Sequence, residues 1–292
     1  MDWKWKSNTH ISMTEVALQY MSPLFQEIVN RNKSYFELGV IAPDRLFKDT
    51  INHYYNVSKG VGKVHKKVSS EVQLIKKMLA NLDRVILHEK AEEYLYGIMD
   101  TPLKTIVFEL GVISHYIADA RQPLHTDSKK HYSDMEFTEE LVHKIYEFDA
   151  RRKDNLMELK SNSIREINAI NKERKKKLVD NEVEDFILSS VKEGNKYYDV
   201  IVDAYYLSPT KIQTYKSGRY KKVRDLTQKC FNNAVRDIIS IWKIFESDNN
   251  FTALSKDLHL SEIINKVYKS LDKNKTYSIH QYKNGNIKLI RC

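Results

Sequence analysis

Within Phe108–His125, FELGVISHYIADARQPLH, two imidazoles and a carboxylate recur at spacings that suit a shared cation. His115 and Asp119 are four apart, which on a helix sets their Cβ atoms roughly 5–6 Å from each other. Pro123 ends such a helix, and the bend behind it presents His125. A second pair at the same spacing, His143 and Glu147, follows, while His10, Asp44 and His53 come earlier in the chain. Histidine and carboxylate are the ligands zinc takes in hydrolytic sites. Singly, each residue has an ordinary explanation: a buried His–Asp hydrogen bond, a turn aspartate behind Pro43, a core histidine beside Tyr54 and Tyr55, a surface pair on a charged helix. The whole set in order is what favours a metal.

The elements that must position these residues are mostly helices. Thr101-Pro102 predicts a helix start, a capping threonine followed by proline at the first helical position, and the helix runs over 102–120. Ile106, Leu110, Ile113 and Ile117 form its apolar stripe; Phe108, Val112, His115 and Asp119 form a second stripe that passes from apolar to ionisable. Ser12–Glu15 and Ser70–Gln73 read as capping boxes opening helices, with His10 at or just before the first of them and Pro23 breaking it in two. Residues 34–41 read as a short helix that stops before a turn at Ile41–Arg45, because the residue preceding a proline avoids the helical region. Asn52-His53-Tyr54-Tyr55 leads into a loop with Gly60 and Gly62. Further helices are expected over roughly 84–99, from a cap at Ser133–Glu136, over 184–196, 197–207 and 219–247. The charged stretch 150–182 reads as solvated helix or a helical excursion, with an anionic-membrane or nucleic-acid patch as the functional alternative, and His65 and His88 read as solvated side chains. After Asp248 the character changes: a short helix at 261–271, then alternation over 277–290 around Asn284-Gly285, a hairpin dipeptide. The expected organisation is a helical domain over 1–248 and a C-terminal appendage over 249–292.

Composition sets outer bounds. Eight glycines and five prolines in 292 residues favour a mainly helical chain with few tight turns. Two cysteines, Cys230 and Cys292, exclude a disulfide framework. A net charge of +9 favours anionic partners without choosing among phosphate esters, nucleic acid and acidic membranes. MDWKWKSNTH has no apolar core of a signal peptide, and no apolar run approaches the roughly 20 residues that span a bilayer. A cytoplasmic location, with peripheral membrane attachment as an extension of it, is the expectation.

The ordered set resembles the zinc-dependent phospholipase C family, which shares an all-helical superfamily with zinc-dependent single-strand nucleases. The core of the likeness is His115-Tyr116-x-x-Asp119-x-x-Gln122-Pro123-Leu124-His125, with the H-x3-D-x5-H spacing and the Gln-Pro-x-His corner. Ala42-Pro43-Asp44, Asn52-His53-Tyr54-Tyr55, His10 and the H-x3-E of His143 and Glu147 complete it over roughly residues 3–247. The resemblance implies an all-α bundle with two or three Zn2+ ions in a cleft between helices. Asp44, His53, His115 and Asp119 would hold one ion, and His125, His143 and Glu147 a second. His10 would hold a third with Asp119, which would bridge. It implies phosphodiester hydrolysis by a metal-activated water attacking phosphorus, with Asp44 as general base and a phospholipid substrate. The family completes the third ion with an N-terminal tryptophan; here Trp5 stands behind Met1-Asp2-Trp3-Lys4. Asp49 is a rival to Asp44, and His131 to His143. A nuclease or nucleotidase on the same metals, with nucleic acid as substrate, and a non-catalytic helical binding protein with structural metal are the alternatives.

Overall fold

The structure, a computed structural model, describes residues 7–87, 99–127, 136–170, 178–208, 211–212, 218–254, 277–281 and 287–291. It divides into a unit spanning Met1–Thr252 and a second spanning Ala253–Cys292. In the first unit, α1 (Ser7–Leu18), α2 (Pro23–Arg31) and α3 (Lys33–Arg45) precede a small antiparallel hairpin, β1 (Tyr55–Asn56) with β2 (Val61–Gly62). Then come α4 (Val64–Leu79), α5 (Pro102–Asp119), a 3-10 turn at Pro123–His125, α6 (Glu136–Ala150) and α7 (Lys153–Ile170). A second 3-10 turn at Asp180–Glu182 leads to α8 (Val183–Asn195), α9 (Tyr198–Tyr205), the hairpin β3 (Tyr206–Ser208) with β4 (Lys211–Ile212), and α10 (Arg219–Glu246). The fold is all-helical apart from these short hairpins.

The core is built round α5. Thr101 Oγ1 accepts from the Lys104 amide at 3.3 Å, and Pro102 stands at the first helical position. Every residue from Thr105 to Asp119 is buried, so the two stripes seen in the sequence are both internal, which marks a helix surrounded by protein. It packs against α3, α4, α10 and α1. Glycine makes the α3 crossing close: a Cβ at Gly39 would run into the Phe108 carbonyl, and one at Gly111 into the Phe36 carbonyl. On the other side Trp242 of α10 donates Nε1–H to Ser114 Oγ at 3.0 Å, with Phe25 and Phe36 against its ring. Two buried ion pairs tie the outer helices. Asp149 accepts from Arg219 Nε at 2.7 Å and from the Tyr205 hydroxyl at 3.0 Å, and Asp237 accepts from Arg121 Nε at 2.5 Å and from Ser190 Oγ at 2.8 Å.

Several expectations are overturned. Neither proposed capping box opens a helix: α1 begins at Ser7 and α4 at Val64. A Ser-x-x-Glu or Ser-x-x-Gln spacing also occurs inside a helix, where the hydroxyl turns back to a carbonyl, as Ser70 Oγ does to Lys67 at 2.8 Å. His10 therefore lies within α1. The short helix expected at 34–41 extends to Arg45, straight through Pro43. A proline in the last turn forfeits little ladder, and the Leu46 and Phe47 amides both close on the Ala42 carbonyl. The charged segment is not simply solvated, because α7 buries Leu159, Ser163 and Ile167 against α1 and α10. His65 is buried too, with Tyr55 edge-on to its ring at 5.0 Å; the lysines around it mask a position on the inner face of α4.

The helix expected at 84–99 falls largely, and that at 261–271 wholly, outside the described residues, as do Ser133, His88, His131, Trp3 and Trp5. In the second unit, β5 (Tyr277–Gln281) pairs antiparallel with β6 (Ile287–Arg291), Gln281 opposite Ile287. No described helix is long and apolar enough to cross a membrane.

Candidate metal centre

Eight side chains from six stretches of chain meet at one end of α5. Among the described residues they form three groups whose ligand atoms lie within 4.8 Å of one another: His10, His115 and Asp119; Asp44, His53 and His115; His125, His143 and Glu147. All eight residues named from the sequence are thus brought together, although His115 rather than Asp119 alone joins the first two groups. Asp119 reaches further than its own group. Its Oδ2 is 2.5 Å from His53 Nδ1 and 3.2 Å from His115 Nε2, and its Oδ1 is 3.5 Å from His10 Nε2 and 3.8 Å from His125 Nδ1.

Local structure aims each ring. The close α3–α5 crossing brings the Val40 carbonyl to His115, where Nδ1–H donates at 2.8 Å and leaves Nε2 to face Asp44 Oδ1 at 3.1 Å. His10 on α1 stacks on His115 with ring centroids 4.1 Å apart. The Pro123 corner turns His125 so that Nδ1–H donates to the His53 carbonyl at 3.2 Å, leaving Nε2 directed at Glu147 Oε1, 3.8 Å away. His143 Nε2 is 2.9 Å from Glu147 Oε1, an i,i+4 pair held by α6.

Burial and charge oppose each other here. Burial, and next to it the His115 charge, lowers the His10 pKa to about 3. Burial lowers His115 as well, but Asp44 and Asp119 outweigh it and raise the ring to about 10. Burial works to raise Asp119, yet His125 and His115 hold it well below the usual carboxylate range. Glu147 is lowered in the same way, against burial, by His143 and His125.

The donor set fits zinc. His10 Nε2, Asp119 Oδ1 and His125 Nε2 are buried and make no hydrogen bond among the described residues, an arrangement that costs free energy unless something else accepts those lone pairs. Imidazole nitrogen with carboxylate oxygen is borderline-soft chemistry, suited to zinc more than to calcium or magnesium.

Two supports were not assigned from the sequence. Gln122 is fully buried; its amide nitrogen lies 2.8 Å from His143 Nε2 and donates to Glu147 Oε1 at 3.1 Å, while its oxygen accepts from the Leu124 amide. Its place in the Gln-Pro-x-His corner was the available signal. Asp49 belongs to none of the three groups. Its Oδ1 accepts from the Ile51 and Asn52 amides at 3.0 and 3.1 Å, and its Oδ2 from Asn52 Nδ2 and the Tyr116 hydroxyl, both at 2.8 Å. Aspartate two residues before a turn amide is a readable turn signal. The rival to Asp44 is therefore a brace for the turn that carries His53.

A model of the family described as zinc dependent phospholipase C matches residues 9–205, two thirds of the chain and all eight of these residues. The chain belongs to that family. Among solved structures, this zinc dependent phospholipase C family member is similar to two bacterial toxins. One is the alpha-toxin of Clostridium perfringens from avian strain SWCP, at 13% identity and a TM-score of 0.45. The other is the alpha toxin of Clostridium absonum, at 12% and 0.48. In both cases the match covers 100% of this chain and 79% of the other. No curated protein matches the chain.

Proposed function

We propose that the chain is a phospholipase C-like hydrolase that cleaves the phosphodiester of a phospholipid on the glycerol side of phosphorus. The observation that carries this reading is the convergence of His10, Asp44, His53, His115, Asp119, His125, His143 and Glu147 in a chain of this family. On this reading Asp44, His53, His115 and Asp119 would hold one Zn2+, His125, His143 and Glu147 a second, and His10 with Asp119 a third. Zinc, when bound, supplies Lewis acidity towards phosphoryl oxygens and acidifies water to a pKa of roughly 7.

The chain's own residues do the rest. Asp44 is the most open of the three carboxylates, with its side chain 12% exposed against 0% for Asp119 and 1% for Glu147, so it can face an entering water and act as general base. Water's oxygen bonds to phosphorus, its proton passes to Asp44, and the bond to the glycerol oxygen breaks. The proton the leaving alcohol gains balances the one water lost. The buried walls formed by Tyr116 and α5 exclude bulk water behind the ligands and strengthen every charge interaction at the site.

The expected outcome is zinc in protein purified without chelator, turnover of a chromogenic phosphodiester, and loss of both on chelation. Asp119→Ala removes ions from more than one group and lowers turnover by at least about a hundredfold, because one carboxylate serves several ligands. Undiminished turnover by metal-replete Asp119→Ala would sink the assignment. Parallel assays with phosphatidylcholine and single-stranded DNA separate this reading from the nuclease alternative, and a chain without bound zinc would favour the non-catalytic one.

A further inference from the structure

The turn that carries His53 also carries an exposed apolar tip. Ile51, Tyr54 and Val61 are 54%, 42% and 53% exposed, three large apolar side chains within eleven residues of sequence. The hairpin register pairs Tyr55 with Gly62 and Asn56 with Val61, and Tyr54 accepts from the Lys63 amide at 3.1 Å. Alternation along the two strands then sets Tyr54, Asn56, Val61 and Lys63 on one face, Asn56 being its buried member, with Tyr55 turned the other way onto His65.

The exposed charges that this segment itself carries have one sign, while Asp127 and Glu184 reach it from other elements, Asp127 at Ser58 and Glu184 at His65. Lys48, Lys59, Lys63 and Lys66 are exposed, and the only acid between residues 45 and 70 is Asp49, which is buried in its turn. The tip is also held in shape. Gly62 has φ +140, and a Cβ there would strike the Tyr55 backbone. The Val57 amide donates to the Thr126 carbonyl at 2.8 Å, and Ser58 Oγ donates to Asp127 Oδ1 at 2.6 Å, pinning the hairpin to the corner just after His125.

We propose that this hairpin seats the chain on an anionic lipid bilayer. Amphipathic aromatic and aliphatic side chains ringed by lysines are the composition that partitions into a headgroup layer, apolar tips inward and ammonium groups at the phosphates. The inference rests on the phospholipase reading, which makes a bilayer the place where substrate is found. Seating it here sets His53, between Ile51 and Tyr54, next to the lipid surface.

The test is sedimentation of the zinc-loaded chain with vesicles of phosphatidylcholine alone and of phosphatidylcholine mixed with phosphatidylglycerol, at short times and over a range of salt. Wild type is expected to favour the mixed vesicles and to release with salt. The pair Lys59→Glu with Lys63→Glu, and separately Ile51→Ser with Val61→Ser, are expected to bind at least about tenfold more weakly. Their melting temperature and their turnover of a chromogenic phosphodiester remain those of wild type. Equal binding by both variant pairs, no preference for the mixed vesicles, or binding of single-stranded DNA in place of vesicles would overturn the proposal. Turnover of the chromogenic substrate without vesicle binding defeats this surface and leaves the hydrolase reading standing. Vesicle binding with no turnover of any phosphodiester does the reverse.

Discussion

Asp44 and Asp49 lie five residues apart and do different work. Asp44 faces His115, whereas Asp49 spends both oxygens on the Ile51–Asn52 turn and on Tyr116. In Asp49→Asn the second oxygen becomes a donor that meets the Asn52 amide nitrogen, so the turn loosens where it meets α5. Chelator competition is expected to show one class of zinc held roughly 10–100-fold less tightly, that of the His53 group, with the His125 group unchanged. Equal weakening of every ion, or of none, would count against a local brace. At this scale much of the candidate site was legible, since His115, Asp119 and His125 announce themselves by spacing. The roles of Asp49 and Gln122 were not, because a carboxylate or amide that serves another side chain leaves no periodicity. His65 was hidden by its neighbours: three adjoining lysines at 63, 66 and 67 say nothing about which way a helix face points.

Helix boundaries were legible where a residue's chemistry admits one reading. Thr101-Pro102 reads as a helix start and is one, whereas Pro23, read only as a break in the first helix, opens α2 in the same way, Ser22 Oγ accepting from the Phe25 amide at 3.3 Å. Pro43 was ambiguous because the cost of a proline depends on its distance from the helix end, which sequence does not state. The glycines at the α3–α5 crossing were equally silent. Gly39→Ala is expected to cost more than about 3 kcal/mol in urea denaturation, since the new methyl meets backbone that cannot turn aside; a loss under about 1 kcal/mol would show that the helices can separate. The α4–α5 contact holds a second stored cost. Glu109 of α5 is fully buried, and burial, then the Glu71 carboxylate of α4, raise its pKa well above 4.5, with Lys67 opposing. A raised carboxyl pKa means the folded chain holds a proton that the unfolded chain has released. Stability is therefore full below about pH 4.5 as far as this group is concerned, and falls as pH climbs towards the folded value. Glu109→Gln, shaped like the protonated acid, should flatten that fall and raise the melting temperature at pH 8 by roughly 2–4 °C. A melting profile unchanged across pH would show that Glu109 ionises at no cost.

At the scale of the molecule, the all-helical class and the strands around Asn284-Gly285 follow from composition and alternation, while the packing order of the helices does not, because sequence period gives each helix a face but no neighbour. The whole assembly has one more consequence. Asp119 gathers ligands from α1, the turn before β1, α5 and the corner after it, segments up to 115 residues apart between His10 and His125. Except for the i,i+4 pairs and the short corner between Asp119 and His125, these residues do not meet until long loops have closed, so an ion has no complete cage in a partly collapsed chain. Zinc should therefore act late in time. In stopped-flow experiments it is expected to leave the refolding rate constant within about twofold of its metal-free value and to slow unfolding instead, since contacts absent from the transition state act on the unfolding arm. The ion would be a latch on a finished fold rather than a seed for it, and the chain's lifetime against unfolding would be set by how long Asp119 keeps its company.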